Sequence, residues 1–239
     1  MKAVVLAGGK GTRLMPYTRV IPKPLMPIGD MSILEVLLHQ MKRAGVDEVI
    51  ITVGHMAGLL KAFFQDGEQL GLRITYSHES TPLGTAGPLS LIFPPPTETF
   101  LVLNGDVLTT LDLNDLIEIH QHSNAIATIA SHERIERIDY GVLEVDNKGV
   151  IQGYIEKPVK KYLVSMGIYV FEPKVLSYIP ANQYYDFPDL VGELIKQGEK
   201  TVSYPFQGYW QDLGRPDDYE QAILDFEKMR TAFLEGVPK

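Results

Sequence analysis

Ala3-Val4-Val5-Leu6-Ala7-Gly8-Gly9 is the stretch that decides the fold. It is an unbroken apolar run with a β-branched centre, and it stops on two glycines. With no polar alternation, it reads as a strand buried on both faces, the kind that fills a parallel sheet. Working outward, a long Gly/Pro-rich loop runs to about Asp30. A helix follows: Ser32 can cap it, Glu35 stands three residues on, and Ile33, Leu34, Leu37, Leu38 and Met41 give the apolar stripe before Gly45 closes it. Residues 48–53 form a second strand. The alternation continues with a helix over 57–64, a strand over 73–77, a short helix from near Thr85, a strand over 99–104, a helix over 113–120 and an extended segment over 125–130. Strands alternating with helices predict a doubly wound, Rossmann-like α/β sheet, mixed but mostly parallel and flanked by helices.

The second half changes texture. Residues 141–145 and 149–154 predict a hairpin around Asp146-Asn147-Lys148-Gly149. A strand over 164–171, a helix over 187–196 entered through Pro188, an extended stretch over 201–205 and an amphipathic helix over 217–229 behind Pro216 complete the chain. No linker-like composition marks the change near 135–140, so residues 1–239 read as one domain, with a first half over about 1–135 and a second over about 136–239.

Composition narrows the function. The 239 residues carry 22 Lys+Arg against 30 Asp+Glu, a net charge of −8, which gives no basic footprint for nucleic acid. There is no cysteine, which excludes disulfides, thiolate metal sites and cysteine nucleophiles and fits a cytoplasmic protein. No apolar run is long enough to cross a membrane, and the N-terminus does not read as a secretory signal.

Five places could carry chemistry. In Leu6-Ala7-Gly8-Gly9-Lys10-Gly11-Thr12-Arg13-Leu14, glycines just beyond a buried strand let backbone N–H groups approach a phosphate, and Arg13 adds a fork of donors. The Gly-Lys-Ser/Thr ending of a Walker loop and the Gly-x-Gly-x-x-Gly spacing are both missing. Lys23 is fixed between Pro22 and Pro24, which suits oxyanion stabilisation. Asn104-Gly105-Asp106 and Trp210-Gln211-Asp212-Leu213-Gly214 each offer a carboxylate at a strand end, a common way to hold Mg²⁺ near phosphate. Glu156-Lys157-Pro158 could bind a hydroxyl and a phosphate. Taken singly, these are also a flexible turn, a solvated lysine, two turn aspartates and a surface turn. The six histidines show no metal-ligand pattern, and no Gly-x-Ser-x-Gly elbow supports a serine hydrolase.

As a set, these motifs resemble the signature of the sugar-1-phosphate nucleotidyltransferases, or nucleotide-sugar pyrophosphorylases. Residues 6–14, Pro16, Thr18 and Pro22-Lys23-Pro24-Leu25 carry the long N-terminal part. Gly84-Thr85-Ala86-Gly87, Asn104-Gly105-Asp106, Tyr140-Gly141-Val142, Glu156-Lys157-Pro158, Gly167-Ile168-Tyr169 and Trp210-Gln211-Asp212 follow in the family's order over about residues 1–225. The resemblance implies an enzyme that makes an NDP-sugar and pyrophosphate from an NTP and a sugar 1-phosphate, with Mg²⁺ as cofactor. Leu6, Ala7, Gly8, Gly9, Gly11, Thr12 and Arg13, with Glu79, Gly84 and Thr85, would bind the nucleotide. Arg13 and Lys23 would be catalytic. Asn104, Gly141, Glu156, Lys157 and Ser165 would form the sugar-phosphate pocket in a small β-rich insertion, and Asp106 and Asp212 would hold the metal.

His78-Glu79-Ser80-Thr81-Pro82-Leu83-Gly84-Thr85-Ala86-Gly87 is most similar to the mannose-1-phosphate guanylyltransferase branch, implying GTP, mannose 1-phosphate and GDP-mannose. Ser165-Met166-Gly167 departs from the family's usual Asn-Ala-Gly, at a place where a side chain could change the hydroxyl recognised. Glucose-1-phosphate thymidylyl-, uridylyl- or cytidylyltransferase and heptose-1-phosphate guanylyltransferase are the alternatives. A non-catalytic NDP-sugar-binding regulatory subunit is an alternative of another class. The chain is expected to lack the C-terminal β-helix of longer relatives, and homo-oligomers remain open.

Overall fold

The computed structural model describes residues 1–235; residues 236–239, the end of the span read as one domain, lie outside the described residues. In chain order the strands and helices are β1 Lys2–Leu6, β2 Pro27–Ile28, β3 Met31–Ser32, α1 Ile33–Arg43, β4 Glu48–Val53, α2 Ala57–Phe64, β5 Arg73–His78, β6 Phe100–Asn104, β7 Val107–Thr109, α3 Leu113–Ser123, β8 Ala127–Arg137, β9 Gly141–Val145, β10 Ile151–Glu156, β11 Val159–Phe171, α4 Phe187–Lys196, β12 Thr201–Phe206, β13 Trp210–Asp212 and α5 Pro216–Phe233.

The main sheet has seven strands in the order β12-β8-β11-β6-β1-β4-β5. β1 lies in the middle, parallel to both β4 and β6, and only β11 runs against its neighbours. Ala3, Val4 and Val5 are fully buried, as a strand covered on both faces requires. On one face they pack against α1, whose Ser32–Glu35 capping box closes as the sequence predicts. On the other, Phe100, Phe171 and Phe187 form an aromatic cluster that seats the start of α4.

After β1 the chain winds outward to β4 and β5, then returns to β6 on the opposite side of β1. That reversal leaves a crevice beyond the C-terminal ends of β1 and β6, the place where open α/β sheets bind ligands. Leu6 is level with Asn104 on one side and with Thr52 on the other, so three strands end at one rim.

Several local expectations are corrected. The helix near Thr85 is a 3₁₀ turn over Gly87–Leu91, with Pro88 in its first turn. The extended segment over 125–130 is the start of an eleven-residue strand, and the one over 164–171 is the end of a thirteen-residue strand. The outer parts of β8 and β11 leave the core together as a ribbon, joined by the β9–β10 hairpin. The 7–30 loop is built from three 3₁₀ turns, Thr12–Leu14, Tyr17–Arg19 and Lys23–Leu25. Among the described residues there is no β-helix, and no helix is long and apolar enough to cross a membrane.

Candidate active site

A cleft of about 320 Å³ lies at the strand ends, within the range of small-molecule sites. Its first wall is the turn after β1. Gly11 adopts φ 61°, and a Cβ there would meet Thr18 Cγ2 at 2.9 Å. Thr18 is buried beneath it and donates its hydroxyl to the Gly11 carbonyl at 2.8 Å. The turn thus has a fixed floor, and Leu6, Ala7, Gly8, Gly9, Gly11, Thr12 and Arg13 all line the cleft.

The second wall carries the buried carboxylate of Glu79, just past β5. Glu79 accepts the Leu83 N–H at 3.2 Å, and a Cβ on Gly8 would overlap its Oε1 at 1.7 Å. Glycine at position 8 is what allows the carboxylate to sit against the β1 turn. Gly84 and Thr85 complete this wall.

At the cleft's other end lies the charged centre. Lys23, 7% exposed, sits in its 3₁₀ turn behind Pro22. Its ammonium donates to Asp106 Oδ2 and stands 3.6 Å from Asp212 Oδ1. Asp106 and Asp212 are brought together by the short antiparallel pair β7–β13, in which Asp212 is level with Val107 and the Leu213 N–H bonds the Asp106 carbonyl at 3.1 Å. Trp210 pins that strand by donating Nε1–H to the Met166 carbonyl at 3.0 Å. Burial pushes the Asp212 carboxyl above its ordinary range, the Asp106 charge adds to this, and the Lys23 and Arg13 cations oppose it. The Arg13 guanidinium lies close by, since a Cβ on Gly214 would stand 3.3 Å from its Cζ and 3.2 Å from Asp212 Oδ2.

Two carboxylates converging on a lysine ammonium are a hard-oxygen site already shared by one cation. Burial, and after it the Asp106 charge, raises Asp212, and a divalent ion offsets both, so the donor set of two carboxylates fits Mg²⁺. No third acidic or histidine side chain joins them among the described residues. A bound magnesium would therefore take its remaining ligands from phosphate and water.

Of the residues assigned to the sugar phosphate, Asn104 lines the cleft. Gly167, at φ 72°, makes room for it: a Cβ there would stand 2.4 Å from Asn104 Nδ2. Gly141, Glu156 and Lys157 lie on or beside the β9–β10 hairpin, and Ser165 lies at the irregularity where β11 passes β8. None of these four lines the cleft.

Sequence reasoning missed Leu14, Pro24, Thr52, Pro88 and Gly214 as lining residues. Thr52 was findable, because it lies near the end of a buried strand beside β1; its buried hydroxyl has no hydrogen-bond partner among the described residues. Gly214 stands two residues from Asp212, yet its closeness to Arg13 is a tertiary fact.

The model of the nucleotidyl transferase family matches residues 2–229. A UTP–glucose-1-phosphate uridylyltransferase of Synechocystis is 38% identical over 242 residues, covering 93% of this chain and 62% of the relative. A mannose-1-phosphate guanyltransferase beta-A of Xenopus laevis is 36% identical over 229 residues, covering 92% of this chain and 62% of the relative. The chain thus spans less than two thirds of the length of these curated relatives. Among solved structures, a Bacillus anthracis protein described as a glucose-1-phosphate thymidylyltransferase superposes with a TM-score of 0.76 at 26% identity, covering 94% of both chains. HddC from Yersinia pseudotuberculosis complexed with GMP-PN superposes with a TM-score of 0.72 at 25% identity, covering 94% of this chain and 99% of that one.

Proposed function

The chain belongs to the nucleotidyl transferase family, and on that premise we propose that it makes an NDP-sugar and pyrophosphate from an NTP and a sugar 1-phosphate, with GTP and mannose 1-phosphate as its preferred pair. The observation that carries the reaction is the convergence of Lys23, Asp106 and Asp212 beside Arg13 at one end of a glycine-walled cleft. Four charged side chains from three separate parts of the chain meet where a triphosphate would lie.

The chemistry suits these groups. An oxygen of the sugar 1-phosphate bonds to the α-phosphorus as the bond from that phosphorus to the bridging oxygen of the β-phosphate breaks. The nucleophile is already an anion and pyrophosphate leaves as one, so no general base and no covalent enzyme intermediate is needed. Catalysis becomes positioning and charge neutralisation. In this reading the β1 turn cradles the triphosphate with backbone N–H groups. Lys23 faces the α-phosphate and Arg13 the departing phosphates. Asp106 and Asp212 would hold magnesium, which when bound neutralises phosphate charge.

Glu79 supports the choice of base. A carboxylate offers two acceptors, which match the adjacent N1–H and N2–H donors of guanine. Uracil and thymine offer one N–H between two carbonyls, and the carbonyls would be repelled. The sugar follows the mannose enzymes among the relatives. In this reading Gly141, Glu156 and Lys157 on the hairpin supply the sugar contacts.

A matrix of NTPs against sugar 1-phosphates with Mg²⁺, read by pyrophosphate release, tests this. Turnover highest with GTP and mannose 1-phosphate is expected. Turnover with UTP or dTTP and glucose 1-phosphate, and none with GTP, would reject the substrate pair and keep the reaction. No release from any pair would reject the reaction.

A further inference from the structure

Asp186 occupies the N-cap position of α4, where an aspartate ordinarily accepts a backbone N–H from its own helix. It makes no such bond. Its Oδ1 instead accepts both the backbone N–H of Thr85, at 2.8 Å, and the Thr85 hydroxyl, at 3.0 Å, across a hundred residues of sequence. Its Oδ2 accepts the Tyr184 hydroxyl at 2.7 Å. In return, Thr85 Oγ1 accepts the N–H of Phe187, the first residue of α4, at 2.9 Å. Thr85 thus does the capping that Asp186 does not, and the two segments hold each other reciprocally.

The backbones are joined as well. The Tyr185 carbonyl accepts the N–H groups of Ala86 and Gly87, both at 2.9 Å, and the Tyr185 N–H donates to the Leu83 carbonyl at 2.9 Å. Gly84, at φ 79°, permits this closeness, since a Cβ there would stand 2.7 Å from the Tyr185 carbonyl oxygen and 2.8 Å from Asp186 Oδ1. The strap is itself anchored: Phe187 is buried and stacks on Tyr169 with ring centroids 4.2 Å apart.

We propose that Asp186 is a positioning residue for nucleotide binding, setting from the second half of the chain the place of Gly84 and Thr85 in the wall they share with Glu79. The inference rests on the reading above that this wall meets the base. Hydrogen bonds from Tyr184 and Thr85 hold the carboxyl below the usual carboxylate range, so the clamp stays charged at neutral pH. The two donors of Thr85 are spent on Asp186, so Thr85 serves the nucleotide by its position.

The test measures the Kd of a fluorescent GTP analogue, and the KM values of GTP and mannose 1-phosphate, in the full chain. Asp186→Ala is expected to raise the Kd and the KM for GTP about tenfold, the scale of a lost charge-assisted hydrogen bond, while the KM for mannose 1-phosphate stays within about twofold. Asp186→Asn, whose amide oxygen still accepts from Thr85, should recover most of the affinity. Tyr184→Phe, an exposed change that cannot unfold the protein, should weaken GTP binding by about twofold to threefold. Equal rises for both substrates, or unchanged GTP binding in both Asp186→Ala and Tyr184→Phe, would overturn the clamp. Wild-type protein that binds GTP without releasing pyrophosphate would reject the proposed reaction and leave the clamp to be judged by Kd alone.

Discussion

The loop over residues 7–30 and the ribbon over residues 131–165 make opposite bargains with order. The loop holds one two-residue strand, β2, yet Leu14, Thr18, Lys23 and Met26 in it are buried and its turns are tied to one another. The ribbon is almost entirely regular strand, yet Ile135, Leu143, Val145, Ile151, Tyr154 and Leu163 on it are all exposed. On the hairpin, Leu143 pairs with Tyr154 and Val145 with Ile151, so these four share one face. Hydrogen-bonded regularity and fixed position are therefore separate properties, and burial supplies the second. The fixed loop carries Arg13 and Lys23, the two cations of the charged centre, which must be preorganised. The ribbon carries Gly141, Glu156 and Lys157, assigned above to the sugar, on a part of the molecule that little burial holds in place.

This contrast can be broken by experiment, beginning with the largest effect. Lys23→Met should lower kcat by about 10²–10³-fold with folding preserved, as loss of one preorganised transition-state donor does. Turnover within about threefold of wild type would remove Lys23 from the centre. Gly8→Ala comes next: the new Cβ displaces Glu79, so the KM for GTP should rise by about tenfold or more and discrimination between GTP and UTP should shrink, as read by kcat/KM for each.

Packing gives the third test. Leu103, fully buried on β6, should cost about 2–5 kcal/mol on truncation to Ala in denaturant unfolding, while Leu143→Ala on the hairpin should cost about 0.5 kcal/mol or less. Equal costs would mean that the ribbon is covered in solution. The smallest effect is at Asp212. Its folded carboxyl titrates above its unfolded value of 3.8, so its ionisation disfavours the folded state. That group's contribution is most favourable below pH 3.8 and is lost as pH rises through the folded value. Asp212→Asn in metal-free protein should flatten this part of the Tm–pH profile and leave Tm at neutral pH unchanged or slightly higher.

Much of the fold was legible because its signals are local. The 3–7 apolar run, the Ser32–Glu35 capping box and the turn at Asp146–Gly149 each act within a few residues, and each forms as read. The glycine-rich turn and Lys23 between two prolines were legible for the same reason. The meeting of Asp106 with Asp212 was not, because it depends on two three-residue strands too short to show a period. The Asp186–Thr85 clamp joins side chain to backbone over a hundred positions and leaves no pattern at all. The hairpin over 141–154 was read from its turn, and a turn carries no sign of whether the strands beside it are covered or bare.

The most direct test of the central arrangement is a crystal of the protein grown with a non-hydrolysable GTP analogue and Mn²⁺, examined by anomalous diffraction. The account predicts an ion bound by both Asp106 and Asp212 and by the triphosphate, with the base beside Glu79. A nucleotide lying outside the β1 turn, or an ion that touches neither carboxylate, would contradict it.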